Sequence, residues 1–431
     1  MPLRRWGFVL AAAIALAAAC GLAGGDGTAR SATARAAVTR LSASRPRPVM
    51  TGEAVRQIAT IRLPPPFPQP KSFDISSFDP RTQTYYLSDR TNGGVDAINA
   101  RTNAFAGLVG RGSFTGTGSA ASPSQRSACG PDGIAGPNGN LVIRVDGVTQ
   151  LWASDGVTAS APTSSMKVFD LGGRGQGTLA ATIPTGGACR ADEFSYDPVD
   201  HVVMVANDLD SPPYVSFISV NRDPAKDRVL GKIKFPRAID GLEQSAWDPA
   251  GDQFYLNVPQ VSRRNGAWVG EVAVISPRTM ALRRTFSVPG CSPAGLALDQ
   301  TTQQMLLGCS GDAISGDRRR GVDYPPNRGV TDILNARTGH LVANLGQVSG
   351  SDEVWFDPHA RRYYLAGETM TSNGRATGYP TPVLGVVSAR GNDWIGSFPT
   401  APAAHSLAAD SANGHVFVPI PSYGIAVFAG H

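Results

Sequence analysis

The sequence predicts an all-β fold, and more narrowly a seven-bladed β-propeller closed by an N-terminal strand. Three observations lead to this prediction: the abundance of Gly and Pro, an element that recurs every fifty to sixty residues, and four short strands in each unit. The 49 Gly and 33 Pro make up about a fifth of the 431 residues, and helix and strand interiors tolerate both poorly. The chain is 42% hydrophobic, which supplies a large core and excludes wholesale disorder.

The N-terminus predicts export. Arg4 and Arg5 precede an apolar run at 8–19 that is too short to span a membrane and is typical of a signal peptide. Small residues before Cys20 fit a cleavage site, and they are also similar to a bacterial lipobox, which makes Cys20 a candidate lipid anchor. We expect a signal peptide at 1–20, a flexible linker at 21–50 and a β-propeller domain at 51–431. The protein would then be periplasmic, secreted or an outer-surface lipoprotein of a bacterium.

A short element ending in Asp marks the start of each repeated unit. The aligned residues are Asp79, Asp197, Asp248, Asp299, Asp357 and Asp410. The long interval between the first two leaves room for one further unit, which the segment PDGIAGPNGNLVI (131–143) fills.

Each unit continues with three further strands. Examples are a second strand at 84–89 (TYYLSD), a third at 95–102 (VDAINART) and a more polar fourth at 179–184 (LAATIP). Four short strands repeated at roughly 40 to 60 residues are the signature of a propeller blade. A βαβ solenoid is the alternative, but no unit contains the apolar period of a helix.

The ends of the chain complement each other. The last unit starts at Ala401 and has only three strands, whereas the strand at 57–63 resembles a fourth strand without a blade of its own. Pairing these segments closes the ring and removes exposed strand edges. This arrangement predicts seven blades.

The third strands at 95–102 and 272–279 share the pattern V-x-x-I-x-x-R-T. With this pattern the chain resembles the YVTN-type repeat of secreted seven-bladed propellers that include the YncE-like proteins, over nearly all of 57–428. The segment 131–143 is also similar to a blade of the NHL and gluconolactonase-type propellers. The latter resemblance implies a metal held by Glu, Asn and Asp at blade starts, and Asp132 matches the Asp-containing element.

Acidic residues concentrate just before the first strands, at one mouth of the central channel. Alignment defines a first column of Asp74, Pro131, Asp192, Glu243, Ala294, Asp352 and His405, and a second of Ile75, Asp132, Glu193, Gln244, Gly295, Glu353 and Ser406. Half of these positions hold Asp or Glu, although the chain has only 34 of them. Crowded carboxylates repel one another unless a cation or water lies between them.

We therefore expect a ligand site at this mouth, formed by Asp132, Asp192, Glu193, Glu243, Asp352 and Glu353. Asp132, Glu193 and Glu353 are the candidate ligands of a divalent cation such as calcium, which prefers carboxylate oxygens. His405 lies beside them and is a candidate general base. The alternative is a solvated mouth whose carboxylates accept hydrogen bonds from backbone N–H groups.

Two functions fit these residues. The first is a binding protein for a small molecule, an extracellular protein or a glycan, and the second is a metal-assisted hydrolase of the lactonase type. The net charge of +5 does not indicate nucleic acid, and the sequence lacks the CxxCH, GxSxG, HExxH and Walker motifs. We expect a monomer.

Four cysteines remain after signal cleavage, an even number in an oxidising compartment. Cys291 precedes a first strand and Cys309 ends the next antiparallel strand, so both reach the same mouth of one blade. Cys129 and Cys189 precede the first strands of adjacent blades. We therefore predict the disulfides Cys291 with Cys309 and Cys129 with Cys189.

Overall fold

The computed structural model describes residues 55–130, 132–172, 177–264, 267–309, 330–373 and 378–430, with only the backbone of Asp132. The predicted signal peptide, Cys20 and the linker at 21–50 lie outside these residues. Within the described part of the chain, the strands form seven four-stranded antiparallel sheets. The prediction of an all-β, seven-bladed propeller is confirmed.

The first four blades follow one another along the chain. Blade one contains β2 (Ser76–Asp79), β3 (Thr84–Asp89), β4 (Gly94–Asn99) and β5 (Ala104–Val109). Blade two contains β6 (Asn140–Val145), β7 (Val148–Asp155), β8 (Ser165–Asp170) and β9 (Thr178–Pro184). Blade three contains β10 (Phe194–Asp197), β11 (Val202–Asn207), β12 (Tyr214–Ser219) and β13 (Val229–Lys234). Blade four contains β14 (Ser245–Asp248), β15 (Gln253–Arg264), β16 (Ala267–Ser276) and β17 (Ala281–Pro289).

The last three blades complete the ring. Blade five contains β18 (Pro293–Asp299), β19 (Gln304–Cys309), β20 (Val330–Asn335) and β21 (Leu341–Leu345). Blade six contains β22 (Val354–Asp357), β23 (Arg362–Gly367), β24 (Val383–Ser388) and β25 (Asp393–Pro399). Blade seven contains β1 (Val55–Ile61), β26 (Ala408–Asp410), β27 (His415–Ile420) and β28 (Gly424–Gly430). In space its order is β1-β28-β27-β26, so the first strand of the described chain is the outer strand of the last blade.

Helical structure is sparse in the described residues. One α-helix, α1 (Pro123–Cys129), precedes blade two, and its N-terminus is capped by Ser122, whose hydroxyl accepts from the Gln125 N–H. Short 3₁₀ turns lie at Asp132–Ile134 and Pro224–Lys226. No helix in this part of the chain is long and apolar enough to cross a membrane.

The core consists of apolar layers between neighbouring sheets. Between blades one and seven, for example, Tyr85 and Leu87 pack with Phe417 and Val427, and comparable layers fill the other interfaces between consecutive blades. The first strand of each blade contacts the first strands of both neighbours around the ring. The residues that precede these strands therefore converge at one mouth of the channel.

The structure contains both predicted disulfides. Cys129 at the end of α1 is bonded to Cys189 ahead of β10, and Cys291 ahead of β18 is bonded to Cys309 at the end of β19. The first bond joins the entries to blades two and three, and the second lies within blade five.

Deleting residues up to Leu63 should destabilise the propeller. The deletion removes Val55, Ile61 and Leu63, which are all buried, and leaves β28 with an open edge. At about 1.5 kcal/mol or more per buried aliphatic side chain, the loss of unfolding free energy should exceed about 3 kcal/mol. Chemical denaturation measures this loss, and a truncation that starts at residue 51 is the control. Equal stability of the two truncations would contradict the structural role of β1.

Peptide mapping under non-reducing conditions should recover the two disulfide-linked pairs. Replacing Cys129 and Cys189 together by Ser should lower the unfolding free energy by roughly 2–4 kcal/mol, because the bond closes a long loop in the unfolded chain. Thermal unfolding with and without reductant provides the measurement. Recovery of four free thiols from oxidised protein would refute both pairings.

Candidate functional site

A repeated backbone pairing fixes the residues at the channel mouth. In blade one the N–H of Asp74 donates to the Ser88 carbonyl, and the Ser88 N–H donates to the Ile75 carbonyl. The same reciprocal pairing links Asp192 and Glu193 to Ala206, and Glu243 and Gln244 to Asn257. In these three blades the two residues ahead of the first strand are thereby held in register at the mouth, as the two-column alignment predicts.

Blade two departs from the alignment. Here Asn138 and Gly139 make the reciprocal pairing, with Ser154, so they take the column positions that the sequence assigned to Pro131 and Asp132. The backbone of Asp132 begins the preceding 3₁₀ turn. The sequence alignment placed Pro131 and Asp132 in the columns, but these residues belong to the segment between α1 and β6. The residues that directly precede β6 are Asn138 and Gly139. The Asp132 side chain lies outside the described residues, so its assignment as a cation ligand stays a prediction.

Asp74 is the centre of a buried ionic cluster, called here the rim cluster: Asp74, Arg90, Arg190, Asp192, Asp208 and His405. The carboxylate of Asp74 pairs with the guanidinium of Arg90, and its Oδ2 lies 3.7 Å from Nη1 of Arg190. Burial would raise the pKa of Asp74, but the charge of Arg90, a hydrogen bond from His405 and the charge of Arg190 hold it well below its usual value. Asp74 is therefore ionised and joins side chains from three blades.

Arg190 holds the second part of the rim cluster. Its Nη2 lies 2.6 Å from Oδ2 of Asp192 and 3.0 Å from Oδ2 of Asp208. Arg90 in turn donates from Nη2 to Oδ1 of Asn138 at 2.7 Å, and the Asn138 amide donates to the Ala191 carbonyl. Buried arginines with several acceptors form rigid, directional contacts, so this side of the mouth is well ordered.

His405 faces acceptors on both ring nitrogens. Its Nε2 lies 3.3 Å from Oδ1 of Asp74 and its Nδ1 lies 3.0 Å from the Ala403 carbonyl, while the ring stacks on Phe73. Burial alone would lower its pKa, but the hydrogen bond to Asp74 and the charges of Asp352 and Asp74 raise the pKa to about 9. An imidazolium at neutral pH has no free lone pair with which to accept a proton. The arrangement does not favour the predicted role as general base.

Glu353 points into the channel and is hydrogen-bonded there. Its Oε2 accepts from the Ser406 hydroxyl at 2.6 Å, the Leu407 N–H at 2.9 Å and the Ser76 N–H at 3.4 Å. Only 1% of the residue is exposed, and this burial, with a smaller contribution from Asp352, raises its pKa to about 8 in spite of these donors. At neutral pH this carboxyl is mostly protonated when nothing cationic is bound.

Glu193 is buried like Glu353 but lacks the hydrogen-bond donors that stabilise the carboxyl group of Glu353. The residue is 6% exposed, and no hydrogen bond from any described residue reaches its carboxylate. Burial and then the charges of Asp192, Asp352, Glu243 and Glu353 raise its pKa well above the usual value. Burial and neighbouring acids likewise raise the pKa of Glu243, and burial raises the pKa of Asp352 although the charge of His405 opposes the shift. The structure thus brings together all the predicted acids whose side chains it describes.

A cavity of about 100 Å³ lies within the channel. Glu193 and Glu353, called here the channel carboxylates, line it together with Gln244 and Ser76. The side-chain Oε1 of Gln244 already accepts from the Leu296 N–H at 2.6 Å and the Val354 N–H at 3.1 Å. The channel carboxylates are the acidic groups that line this cavity.

Three residues of the rim cluster were not predicted from the sequence: Arg90, Arg190 and Asp208. Arg90 directly follows β3, Asp208 directly follows β11, and Arg190 comes two positions before the first-column residue of blade three. Charged residues directly after the second strands, such as Arg90 and Asp208, could have been included among the predicted mouth residues, because the second strands end at the same mouth. The pairs Arg90–Asp74 and Arg190–Asp208 form within one blade, between the entry to the first strand and the end of the second. Arg190 reaches Asp74 from another blade, and closure of the ring sets that contact.

Comparison with known proteins identifies the fold only. No family model matches the chain, and no curated protein does. Among solved structures, the chain is similar to one in "Crystal Structure of Mitotic Checkpoint Complex", with 12% sequence identity and a TM-score of 0.54 over 93% of this chain and 97% of that one. In all, 1250 solved chains match, so the likeness reflects a widely used propeller fold and does not select a function.

The raised pKa of Glu353 predicts a pH-dependent effect of the substitution Glu353→Gln. The pKa rises from 4.5 to about 8 on folding, so the protonated form stabilises the fold and that contribution is lost as the pH increases through this range. Relative to wild type, the variant should gain roughly 1 kcal/mol of unfolding free energy per pH unit between about pH 4.5 and 8. Urea unfolding at pH 5, 6.5 and 8 measures the difference.

The substitution Asp393→Asn on outer strand β25 serves as the control and should track the wild type. Parallel stability curves for Glu353→Gln and wild type would show that Glu353 does not titrate in this range.

Proposed function

We propose that this protein is an exported propeller that binds a cationic ligand at its acid-rich channel mouth. The observation that carries the proposal is Glu193, a buried carboxyl that receives no hydrogen bond from the described residues and is surrounded by other acids. A carboxyl group in this setting is stabilised by a proton, by water in the cavity or by a bound cation, and a cation also offsets the charges of the neighbouring acids. The channel carboxylates are the ligand's main contacts.

The distribution of charge supports a cation over an anion or a neutral sugar. The arginines of the rim cluster are already paired with Asp74, Asp192 and Asp208. No arginine or lysine is paired with the channel carboxylates in the described residues, and Glu243 and Asp352 add further negative potential there. A bound cation would offset the negative charge of the channel carboxylates, as Arg90 and Arg190 offset that of the acids in the rim cluster.

The size of the cavity limits the ligand. A volume of about 100 Å³ accommodates a partly hydrated divalent cation or the ammonium end of an alkyl amine. Carboxylate oxygens suit hard cations such as calcium, and they also accept charge-assisted hydrogen bonds from an ammonium group. The geometry thus supports a small cationic group held in the channel.

The same geometry supports binding over hydrolysis. His405 is the candidate general base of the hydrolase hypothesis, but it is bonded to acceptors at both nitrogens and its pKa is raised to about 9. Its charge instead balances Asp74 in the rim cluster. We infer that His405 has an electrostatic and positioning role at the mouth.

Export is part of the proposal. The two disulfides support an oxidising compartment, since cytosolic proteins rarely keep such bonds. Together with the signal peptide predicted at 1–20, they favour a binding role outside the cytoplasm.

The double substitution Glu193→Gln and Glu353→Gln tests the proposal. Calorimetric titration of wild type with calcium chloride, and separately with 1,4-diaminobutane, should give saturable heat for at least one of them. The double variant should bind that cation at least about tenfold more weakly, because it loses both negative charges at the ligand. Its thermal stability should be equal to or above that of wild type, since the repulsion among the acids is relieved.

The substitution Asp393→Asn is the matched control, because it removes an acid from outer strand β25 and should leave the titration unchanged. Absence of heat from wild type with both cations would refute the proposal. Opening of a lactone by wild type that a chelator abolishes would support the hydrolase instead.

A further inference from the structure

On the face opposite the mouth, the same hydrogen-bonded turn recurs after the first strand of several blades. The Asp that ends the first strand accepts hydrogen bonds from backbone N–H groups of the turn that follows it. Asp299, for example, accepts from the Thr301 N–H at 3.0 Å, and Asp357 accepts from the His359 N–H at 2.8 Å. Asp197 of blade three does the same with Val199 at 2.7 Å and Asp200 at 3.3 Å. These turn acids are buried and keep acceptor capacity to spare.

In four blades the next blade supplies a side-chain donor to the turn acid. Arg144 of β6 donates to Asp79, and in the other three the donor is the positive-φ residue just ahead of the second strand: Gln83 to Asp410 at 3.3 Å, Gln303 to Asp248 at 3.2 Å, and Arg361 to Asp299 at 3.1 Å. The donor adds a hydrogen bond to the turn acid across the blade interface, to Oδ1 in the cases of Gln83, Gln303 and Arg361.

At the interface of blades three and four the donor position holds an acid. The positive-φ residue ahead of β15 is Asp252, and it faces the turn acid Asp197 together with Asp200. Carboxylate oxygens of the three residues lie within 4.8 Å of one another. Asp197 is fully buried, and its Oδ2 has no hydrogen-bond partner. Among the described residues at this interface, no Gln or Arg of the donor position reaches Asp197, and the buried Oδ2 is available to a cation.

Two arginines approach the cluster from its outer side. Nε of Arg278 lies 3.0 Å from Oδ2 of Asp200 and 3.1 Å from Oδ2 of Asp252, and Nη2 of Arg283 lies 4.0 Å from Oδ2 of Asp252. The side chain of Arg278 is 59% exposed, so it is free to move into solvent at little cost. Neither guanidinium reaches the buried Oδ2 of Asp197.

We propose that Asp197, Asp200 and Asp252 form a second, separate site for a divalent cation of the calcium type, between blades three and four. The ion occupies the place that a Gln amide or an Arg guanidinium takes at the equivalent interfaces. Calcium takes six to eight oxygen ligands in flexible geometry, so three carboxylates and water complete its shell. Arg278 withdraws when the ion binds and returns when it leaves.

The substitution Asp252→Gln is the decisive variant, because it installs the residue that blades one and five carry at this position. It should abolish calcium binding at this site while keeping or raising thermal stability without calcium, since the new amide donates to Asp197. The substitution Arg278→Gln should increase the affinity several-fold by removing a competing cation. Calorimetric titration with calcium chloride measures both effects.

These variants are made in wild type and in the Glu193→Gln, Glu353→Gln protein, so that binding at the channel mouth is counted separately. The matched control is Asp146→Asn, which alters a positive-φ acid in the corresponding turn of blade two, where Arg144 already pairs with the turn acid Asp79 at 2.5 Å; it should leave calcium binding unchanged. Calcium binding that survives Asp252→Gln unaltered, or no binding in the Arg278→Gln protein, would overturn the proposal.

Discussion

The apolar layers between neighbouring sheets are the interaction on which the rest of this molecule depends. Side chains such as Tyr85 of blade one and Phe417 of blade seven fill these layers, and the hydrophobic effect makes their burial the main stabilising contribution. Because both faces of every sheet are covered, the first strands meet around the axis. The polar residues that precede those strands therefore lie at the mouth of the channel. The contacts between first strands bring these residues close together whatever their charge.

The consequence is a mouth in which charge is balanced on one side and unbalanced on the other. Arg90 and Arg190 neutralise Asp74 and Asp192, whereas the channel carboxylates Glu193 and Glu353 hold raised pKa values through burial and mutual repulsion. A fold held together by apolar interfaces tolerates this imbalance, since its blades do not rely on the rim for stability. The unbalanced side is where we place the ligand.

Repetition also makes departures informative. Six blades end their first strand with the same turn acid, and the donor from the next blade is a Gln or an Arg at four interfaces. Asp252 is a local exception, because it places an acid beside Asp197, whose Oδ2 is buried without a hydrogen-bond partner among the described residues. Exceptions of this kind are frequent at functional sites. Each of the two proposals starts from an acid with other acids around it: Glu193 at the channel mouth, and Asp252 between blades three and four.

The sequence alone determined the period, the four strands of each blade and the Cys291–Cys309 and Cys129–Cys189 pairs, because all of these follow from local patterns and chain spacing. It also determined that Asp192, Glu193, Glu243, Asp352, Glu353 and His405 share a mouth, since they occupy equivalent places in a repeat. Only the tertiary structure decided which side chains touch: that Arg90 and Arg190 meet at Asp74, that Asn138 holds the blade-two position predicted for Pro131, and that Asp252 faces Asp197. Arg190 reaches Asp74, and Asp252 reaches Asp197, from a different blade, and closure of the ring, not distance along the chain, sets these separations.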